Sequence, residues 1–396
     1  MDHEYHYYRK IFERTAKPFA FVDFDLLDEN IERIVSAAAH KNIRIATKSI
    51  RSVFIMKYIM KKHALFKGVM CFTAMEALYL GNEGIEDILI GYPIWDSEVV
   101  AKICQFNQQG KRITLMVDSV EHVQHLNKIA ETFNVTLPLC LDIDMSMDVP
   151  GLHFGVWRSP IRNVGDAKVV VEKIMESSSV CLVGVMGYEA QIAGVGDHYP
   201  KQTAKNTIVT LLKKQSKKRL AEKRAATIQM IGNYGISLQF VNGGGTGSLH
   251  TTTSEKVVTE VTVGSGFFSP GLFDNYRNFH YKPAAGFAIE IVRKPDAHLF
   301  TCAGGGYIAS GAVGTDKLPK PYLPKGAQLL PLEGAGEVQT PIVYLGTAKL
   351  MHGDPIFLRH AKAGELCERF NHLYCVSNGE IVNRVTTYRG DGQCFL

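Results

Sequence analysis

From Pro18 to about Gly266, short β-rich runs alternate with amphipathic helical stretches, and this alternation constrains the fold more than any other feature of the sequence. About eight β–α units over roughly 250 residues have the size and rhythm of a (β/α)8 TIM barrel. A doubly wound open sheet fits less well, because no GxGxxG motif opens the first β–α turn. The strand candidates, in chain order, are residues 19–25, 43–49, 66–72, 87–93, 112–118, 137–144, 180–189, 238–247 and 257–266.

Residues that cap helices stand between these runs. Asp25, Thr73 and either Asp118 or Ser119 precede amphipathic stretches. Their short oxygen-bearing side chains suit an N-cap, where they accept hydrogen bonds from first-turn N–H groups. The sequence therefore predicts helices that begin close behind the strands.

Beyond about Pro270 the helical periodicity fades and short extended runs follow one another. Gly, Pro and Asp turns separate them, and the SNGE sequence at 377–380 is typical of a two-residue β-hairpin. We therefore expect a barrel domain at residues 18–265 and a C-terminal β-rich domain at residues 266–396. Whether residues 1–17 join the second domain is left open.

The 396 residues include 44 Lys and Arg against 39 Asp and Glu, a formal net charge of +5. Nucleic-acid-binding proteins concentrate more positive charge on one face, so no nucleic-acid partner is expected. Most of the excess lies in residues 201–224, whose apolar residues fall at helical spacing. This pattern predicts a surface helix with a solvated basic face rather than a membrane-binding or phosphate-binding patch.

The eight cysteines are scattered singly and form no CxxC motif, which is typical of free thiols in a reducing compartment. The N-terminal stretch is polar and carries acids, unlike a signal or transit peptide. No apolar run approaches the ~20 residues that a membrane-spanning helix needs. The sequence therefore predicts a soluble, cytoplasmic protein without a membrane partner.

Lys48 ends the strand candidate IRIATKS, and the C-terminal ends of barrel strands are where active sites form. An inward-facing lysine in an apolar strand costs free energy unless its charge is paired or its pKa falls. A lysine of lowered pKa attacks carbonyl groups and forms a Schiff base. The alternative is a strand-end lysine whose amine reaches solvent.

A glycine-rich segment, VNGGGTGS at 241–248, follows a late strand candidate. Consecutive glycines before hydroxyl residues let backbone N–H groups converge on an anion, and barrels often bind phosphate after their late strands. Taken alone, the segment is equally well explained as a tight turn. Combined with a Schiff-base lysine, a phosphate loop indicates pyridoxal 5′-phosphate (PLP), which carries both an aldehyde and a phosphate.

The chain resembles the fold-type III PLP enzymes over essentially its whole length. The motifs that carry the resemblance are PFAFVDFDLLDENI, IRIATKSIR, GVMCFTAMEALYLGNEGIEDILIGYP, MGYEAQIAG and NGGGTGS. Within this group it is most similar to the branch of D-threonine aldolases and D-serine dehydratases, whose barrel is of the alanine racemase N-terminal type. The segment from Gly353 to Gly390 resembles the C-terminal β domain of that branch, with a looser match.

The resemblance implies which residues hold the cofactor. Lys48 would form the internal Schiff base, and Tyr188 matches a tyrosine near the cofactor ring. Glu189 and Gln191 are secondary candidates beside that ring. The implied phosphate-binding residues come from two loops and are Gly244, Gly245, Thr246, Gly264, Ser265 and Gly266.

One barrel position departs from the pattern of the related enzymes. His153 stands where they have an arginine that reaches the cofactor's phenolic oxygen. We therefore expect His153 at the cofactor, with Arg158 or Arg162 as the residue that replaces the arginine contact.

The C-terminal domain departs from the pattern as well. Related aldolases and dehydratases bind a divalent metal through a His-x-Cys or His-x-Asp pair, whereas here His360 is followed by Lys362. A protonated ammonium cannot coordinate a cation, so a metal is either absent or held by His360 with Glu365 or His372. Without a metal, His360 is expected to act as a general acid or base, and Lys362 to pair with the substrate carboxylate.

The resemblance implies a PLP-dependent lyase acting on a small-molecule D-amino acid, by aldol cleavage or by dehydration and deamination of a β-hydroxy D-amino acid through a Lys48 Schiff base. An amino-acid racemase is the alternative within the class. A PLP-binding carrier or regulatory protein with little turnover is an alternative outside it, although known carriers of this fold consist of the barrel alone. A phosphate-ligand barrel enzyme in which Lys48 forms no Schiff base is a third.

The resemblance also implies an assembly. Related enzymes are head-to-tail homodimers in which the β domain of one subunit completes the site of the other. This arrangement would place His360 against the cofactor of the partner.

Overall fold

The computed structural model describes residues 2–396, and within that range eight parallel strands close into a barrel. With strands numbered along the chain, the barrel consists of β2 (Asn42–Ala46), β3 (Phe66–Cys71), β4 (Asp87–Ile90), β5 (Arg112–Val117), β6 (Leu137–Asp142), β9 (Val180–Gly187), β10 (Phe240–Gly243) and β11 (Glu260–Val263). The strands pair in this order, and β11 closes the barrel against β2, with Val263 opposite Ile45. The predicted (β/α)8 barrel is confirmed.

Helices connect the barrel strands. Along the chain the helices are α1 (His3–Ile11), α2 (Phe24–Ala37), α3 (Val53–Lys62), α4 (Ala74–Asn82), α5 (Ser97–Gln108), α6 (Val120–Phe133), α7 (Val164–Glu176), α8 (Ala190–Ala193), α9 (Thr203–Asn233), α10 (Leu249–Thr252), α11 (Ser265–Phe268) and α12 (Glu365–Arg369). Thr73 and Ser119 cap α4 and α6 as predicted. Helix α2 begins after Asp23 instead of Asp25. Across residues 2–396, no helix combines the length and apolarity needed to cross a membrane.

A second sheet, with nine strands in the described chain, forms the predicted β-rich domain. Its strands are β1 (Phe19–Asp23), β12 (Ala285–Asp296), β13 (Leu299–Ala303), β14 (Lys320–Leu323), β15 (Gln328–Leu329), β16 (Gln339–Val343), β17 (Pro355–Arg359), β18 (His372–Ser377) and β19 (Glu380–Thr386). The main order is β15-β16-β13-β12-β1-β18-β19, and β17 pairs with β12 and β14. The predicted hairpin at 377–380 joins β18 to β19, with Asn378 and Gly379 at φ 51° and 80°.

Strand β1 lies in this second sheet, which corrects the assignment of the strand at 19–25 to the barrel. Phe19 to Val22 pair with β12, and β1 runs parallel to β18. All five residues of β1 are buried, and a strand buried on both faces has the same sequence pattern in a barrel as in a covered sheet. Helix α1 packs on the same sheet, where the ring centroids of Tyr8 and Phe21 lie 5.3 Å apart.

Two insertions lie after barrel strands. A small hairpin, β7 (Met147–Val149) with β8 (Leu152–Phe154), follows β6, and the long helix α9 lies between β9 and β10. Helix α9 contains most of the basic stretch expected to face solvent, but Lys213 and Arg224 are only 6% and 0% exposed. The prediction of a solvated basic face is wrong for these two residues, because facing loops pair them with the carboxylates of Asp197 and Glu189.

Candidate active site

Lys48 lies in a 3₁₀ turn, Thr47–Ser49, that directly follows β2 at the C-terminal end of the barrel. The hydroxyl of Thr47 donates a hydrogen bond of 3.1 Å to the carbonyl of Met70 on β3, which anchors the turn to the neighbouring strand. Two residues before the end of β2, Arg44 is buried inside the barrel and forms ion pairs with Glu260 at 2.8 Å and Asp87 at 3.0 Å. The lysine therefore stands at the barrel mouth, above a buried and compensated ion network.

A tyrosine and an arginine accompany Lys48 at the mouth. The positive charge of Lys48 lowers the pKa of Tyr92, and Arg158 adds to this effect. The guanidinium of Arg158 lies 4.7 Å from the centroid of the Tyr92 ring, and its Nε donates to Asp142 Oδ2 at 2.7 Å. Burial raises the pKa of Asp142 to about 6, although Arg158 opposes this shift. Lys48, Tyr92, Arg158 and Asp142 form one polar group.

His153 lies outside this group, on the hairpin after β6. Its Nδ1 is 2.6 Å from Asp148 Oδ1, and its ring stacks on Trp157 with the centroids 3.8 Å apart. Arg162 lies over the same Trp157 ring, at 5.1 Å. Of the three residues considered for the arginine contact, Arg158 is the one that the described chain brings against Tyr92.

The two glycine loops meet beside the Lys48 turn. The N–H of Gly266 donates to Thr246 Oγ1 at 2.9 Å, which joins the loop after β11 to the loop after β10. A Cβ placed on Gly264 would lie 2.5 Å from Ser49 Oγ, so the loop after β11 touches the turn that carries Lys48. The structure therefore brings the predicted phosphate-binding loops and the predicted Schiff-base lysine together.

The loop after β10 is fixed by its own hydrogen bonds. The N–H of Gly244 donates to Glu189 Oε2, and that of Gly245 to Ser248 Oγ, both at 3.1 Å. Gly244 has φ 83°, a conformation that favours glycine, so it shapes the turn. A Cβ on Gly245 would lie 3.2 Å from the ring of Tyr188, which places this tyrosine against the loop. Burial raises the pKa of Tyr188 to about 12.

The segment after β17 reaches the Lys48 turn of its own chain. A Cβ placed on Gly364 would lie 2.2 Å from the carbonyl oxygen of Lys48. Arg51 forms an ion pair with Glu368 on α12. The β domain therefore contacts its own lysine turn, whereas the resemblance implied that His360, on this segment, would face the cofactor of a partner.

His360 is a buried histidine without polar partners, 2% exposed. Neither ring nitrogen has a hydrogen-bond partner within residues 2–396. Burial lowers the pKa of His360 to about 3, so the imidazole is neutral near pH 7. The centroid of the Phe268 ring, beyond the loop after β11, lies 6.5 Å away. With so low a pKa, the imidazole is a weak base as long as it stays buried without a polar partner.

The donor set around His360 does not fit a metal ion. The ammonium of Lys362 donates to the carbonyl of Ser310 at 3.5 Å, and Glu365 accepts two hydrogen bonds of 3.0 Å from Ser310. Because an ammonium offers no lone pair, Lys362 cannot serve as the second ligand. His372 begins β18. The part of the chain that the structure describes contains no group of three His, Cys, Asp or Glu residues able to hold a metal.

Tyr92 and Asp142 lie in the site although neither was predicted to be a site residue. Tyr92 follows β4, which ends at Ile90, and Asp142 is the last residue of β6. Their positions at the C-terminal ends of barrel strands are the sequence signal that could have identified them.

Comparison with known proteins gives distant relatives of similar fold. The 3-hydroxy-D-aspartate aldolase of Paracoccus denitrificans (strain Pd 1222) is 20% identical over 253 residues, which are 63% of this chain and 60% of that protein. The chain thus spans about three fifths of the length of the curated relatives it matches.

Solved structures match over nearly the whole chain. D-threonine aldolase from Filomicrobium marinum has a TM-score of 0.80 at 17% identity, covering 96% of each chain. D-threo-3-hydroxyaspartate dehydratase from Delftia sp. HT23 has a TM-score of 0.74 at 17% identity, covering 94% of this chain and 98% of that one. The family model described as alanine racemase, N-terminal domain, matches residues 22–240, more than half of the sequence, and the chain therefore belongs to the alanine racemase N-terminal domain family.

Proposed function

We propose that the chain is a PLP-dependent lyase that cleaves or dehydrates β-hydroxy D-amino acids. The observation that carries this proposal is the contact between the Lys48 turn and the loop of Gly264, where a Cβ would lie 2.5 Å from Ser49 Oγ. Relatives named as aldolases and a dehydratase of β-hydroxy D-amino acids support the substrate class.

The residues at the mouth fit this cofactor. Strands β2 and β11 are paired neighbours, so Lys48 and the loop Gly264–Gly266 leave the barrel side by side. Side chains are missing at Gly264 and Gly266, and a Cβ on Gly266 would lie 3.2 Å from Thr246. These neighbours support the proposal that the Lys48 amine binds the aldehyde and that the small residues of the two loops hold the phosphate of the same molecule.

The chain supplies binding, charge and proton transfer. When bound, PLP draws electrons from the Cα of an amino acid and weakens the bonds at that carbon. Lys48 carries the cofactor and holds or moves the proton at Cα. Arg158, oriented by Asp142, keeps a positive charge beside Tyr92. We propose that His360 transfers the proton of the substrate's β-hydroxyl once the substrate gives the ring the polar partner that it lacks here, accepting the proton in aldol cleavage and protonating the leaving hydroxyl in dehydration. Lys362, which forms no ion pair among residues 2–396, is proposed to pair with the substrate carboxylate.

The test uses the full chain incubated with PLP. We expect a yellow protein that borohydride bleaches, a colourless Lys48→Ala variant, and a yellow Lys67→Ala control, because Lys67 is exposed on β3. A panel of D-β-hydroxy amino acids then separates the reactions, since cleavage yields glycine and an aldehyde while dehydration yields ammonia and a 2-oxo acid. A wild type that stays colourless contradicts the proposal.

The same panel tests the alternatives. Formation of the L-enantiomer without cleavage products would identify a racemase, and colour without turnover would identify a carrier. Because the donor set at His360 lacks a second ligand, we expect activity to survive a chelator. Loss of activity in chelator, restored by a divalent cation, would show that a metal recruits other groups.

We also propose that the chain forms a homodimer in the cytoplasm. The eight cysteines are free in the described structure, which suits a reducing compartment. Light scattering of the purified chain measures the dimer, and a monomeric mass at working concentration contradicts it.

A further inference from the structure

A buried ion network lies behind the glycine loop that follows β10. Glu189, just after β9, and Arg224, on α9, are both buried. Arg224 Nη2 donates to Glu189 Oε2 at 3.2 Å and to the carbonyl of Gly187 at 3.0 Å, while Nη1 pairs with Glu255. A buried carboxylate such as Glu189 is tolerated only when it is paired and hydrogen-bonded, and Arg224 is the cation that pairs with it as well as with the partly buried Glu255.

Glu189 connects this network to the loop. Its Oε2 accepts the N–H of Gly244 at 3.1 Å, and its Oε1 accepts the hydroxyl of Thr252. Gly243 packs on the arginine, because a Cβ placed there would lie 3.0 Å from Arg224 Nη2. One carboxylate therefore anchors the turn at Gly244 to α10, and one arginine on α9 supports that carboxylate.

We propose that Glu189 and Arg224 are positioning residues that hold the glycine loop in the conformation that binds the cofactor's phosphate. Neither needs to touch the cofactor. Their pairing also balances the negative charge of Glu189, which would otherwise repel the phosphate. This inference rests on the proposed function, because it presupposes PLP in the site.

Helix α9 offers a matched control. Lys213 and Asp197 form a second buried ion pair, at 3.1 Å, between α9 and the segment that follows β9. Asp197 Oδ1 also accepts a backbone N–H, but from Arg277 and not from the glycine loop. The Asp197→Asn variant therefore removes a buried α9 ion pair of the same kind without altering a contact to Gly244.

The experiment compares PLP with pyridoxal, which lacks the phosphate. Dissociation constants of both are measured by equilibrium dialysis against the full chain, for wild type, Glu189→Ala, Glu189→Gln and Asp197→Asn. We expect Glu189→Ala to weaken PLP about ten- to hundredfold, the range of one hydrogen bond to a charged group, and to leave pyridoxal unchanged. Glu189→Gln keeps one acceptor and is expected to lose several-fold, whereas Asp197→Asn keeps the wild-type preference.

The outcomes separate this inference from the proposed function. A wild type that binds neither compound contradicts the function. If wild type prefers PLP and both Glu189 variants keep that preference, the inference is overturned while the function stands. Equal losses for PLP and pyridoxal, shared by Asp197→Asn, would assign the network to fold stability and also overturn it. Where circular dichroism shows that Glu189→Ala does not fold, the more conservative Glu189→Gln decides.

Discussion

Of the residues that the resemblance placed near the cofactor's phenolic oxygen, Arg158 lies over Tyr92 at the barrel mouth. The hairpin after β6 holds His153 against Trp157 and Asp148. Which residue of this insertion faces the mouth depends on the path of the hairpin, and no local pattern encodes that path. The sequence could therefore supply the candidates but could not choose among them.

The carboxyl group of Asp142, at the barrel mouth, is expected to make kcat/KM depend on pH. Since burial raises the pKa of Asp142 to about 6, the carboxyl gains a proton as the pH falls through 6 and Arg158 loses its charged partner. We expect kcat/KM to fall on this acid limb, and Asp142→Asn to lower kcat/KM about tenfold while removing the limb. Steady-state pH profiles measure both effects. An unchanged profile in Asp142→Asn would show that another group controls the limb.

The raised pKa of Asp142 also makes the free energy of unfolding depend on pH. The folded state binds a proton at Asp142 between the ordinary value of 3.8 and about 6, where the unfolded chain has already lost it. The contribution of Asp142 to the free energy of unfolding therefore decreases as the pH rises through this window. Urea unfolding across the window should show a smaller decrease for Asp142→Asn than for wild type. Identical slopes would contradict the assignment.

At the scale of elements, hydrophobic periodicity and helix caps predicted strands and helices. They did not predict which strands or charged side chains pair with one another. The barrel strands and the caps Thr73 and Ser119 follow from local patterns, because strand burial and first-turn hydrogen bonds are set within a few residues. Strand β1 was placed in the wrong sheet, since a doubly buried strand does not specify its neighbours. Buried Lys213 and Arg224 escaped prediction because their carboxylate partners come from segments distant along the chain.

The cap of α6 supports a prediction of helix stability. Ser119 accepts a hydrogen bond of 3.2 Å from the N–H of His122, and its loss leaves that donor without its partner in the first turn. We expect Ser119→Ala to lower the free energy of unfolding by about 1 kcal/mol. Ser97→Ala is the matched control, because Asp96 already caps α5 and Ser97 is exposed. Urea denaturation measures both, and equal losses would remove the cap as the cause.

At the scale of the molecule, the sequence predicted a barrel and a β-rich sheet but not the contact between them. Tyr388 donates to the buried Glu76 at 2.9 Å, and its N–H donates to the carbonyl of Arg51 at 2.8 Å. These contacts connect residues about three hundred positions apart, which no local pattern reveals. The contact matters because Arg51 also donates to the carbonyl of Lys48, at 3.0 Å. The β domain thus reaches the backbone of the proposed cofactor lysine.

Gly364 allows the β domain to approach the Lys48 turn. Its substitution tests whether this contact positions Lys48. It has φ 94°, and a Cβ would lie 2.2 Å from the Lys48 carbonyl oxygen, so Gly364→Ala must displace one of the two segments. Gly379 has a similar φ of 80°, but the nearest atom to its Cβ would be 3.5 Å away. Gly379→Ala carries the strain of a positive φ, about 1–2 kcal/mol. Gly364 has ψ −36° and lies outside the left-handed helical region, so Gly364→Ala carries at least comparable strain and the clash in addition.

Comparing Gly364→Ala with Gly379→Ala therefore separates the effect of backbone strain from the effect of displacing Lys48. We expect urea unfolding to show a larger loss for Gly364→Ala than for Gly379→Ala, because only the former adds a steric overlap to the strained backbone. After borohydride treatment of the PLP-loaded chain, mass spectrometry should find less label on Lys48 in Gly364→Ala and wild-type label in Gly379→Ala. Equal labelling at Lys48 in both variants would mean that the β domain stabilises the barrel without setting the position of its lysine.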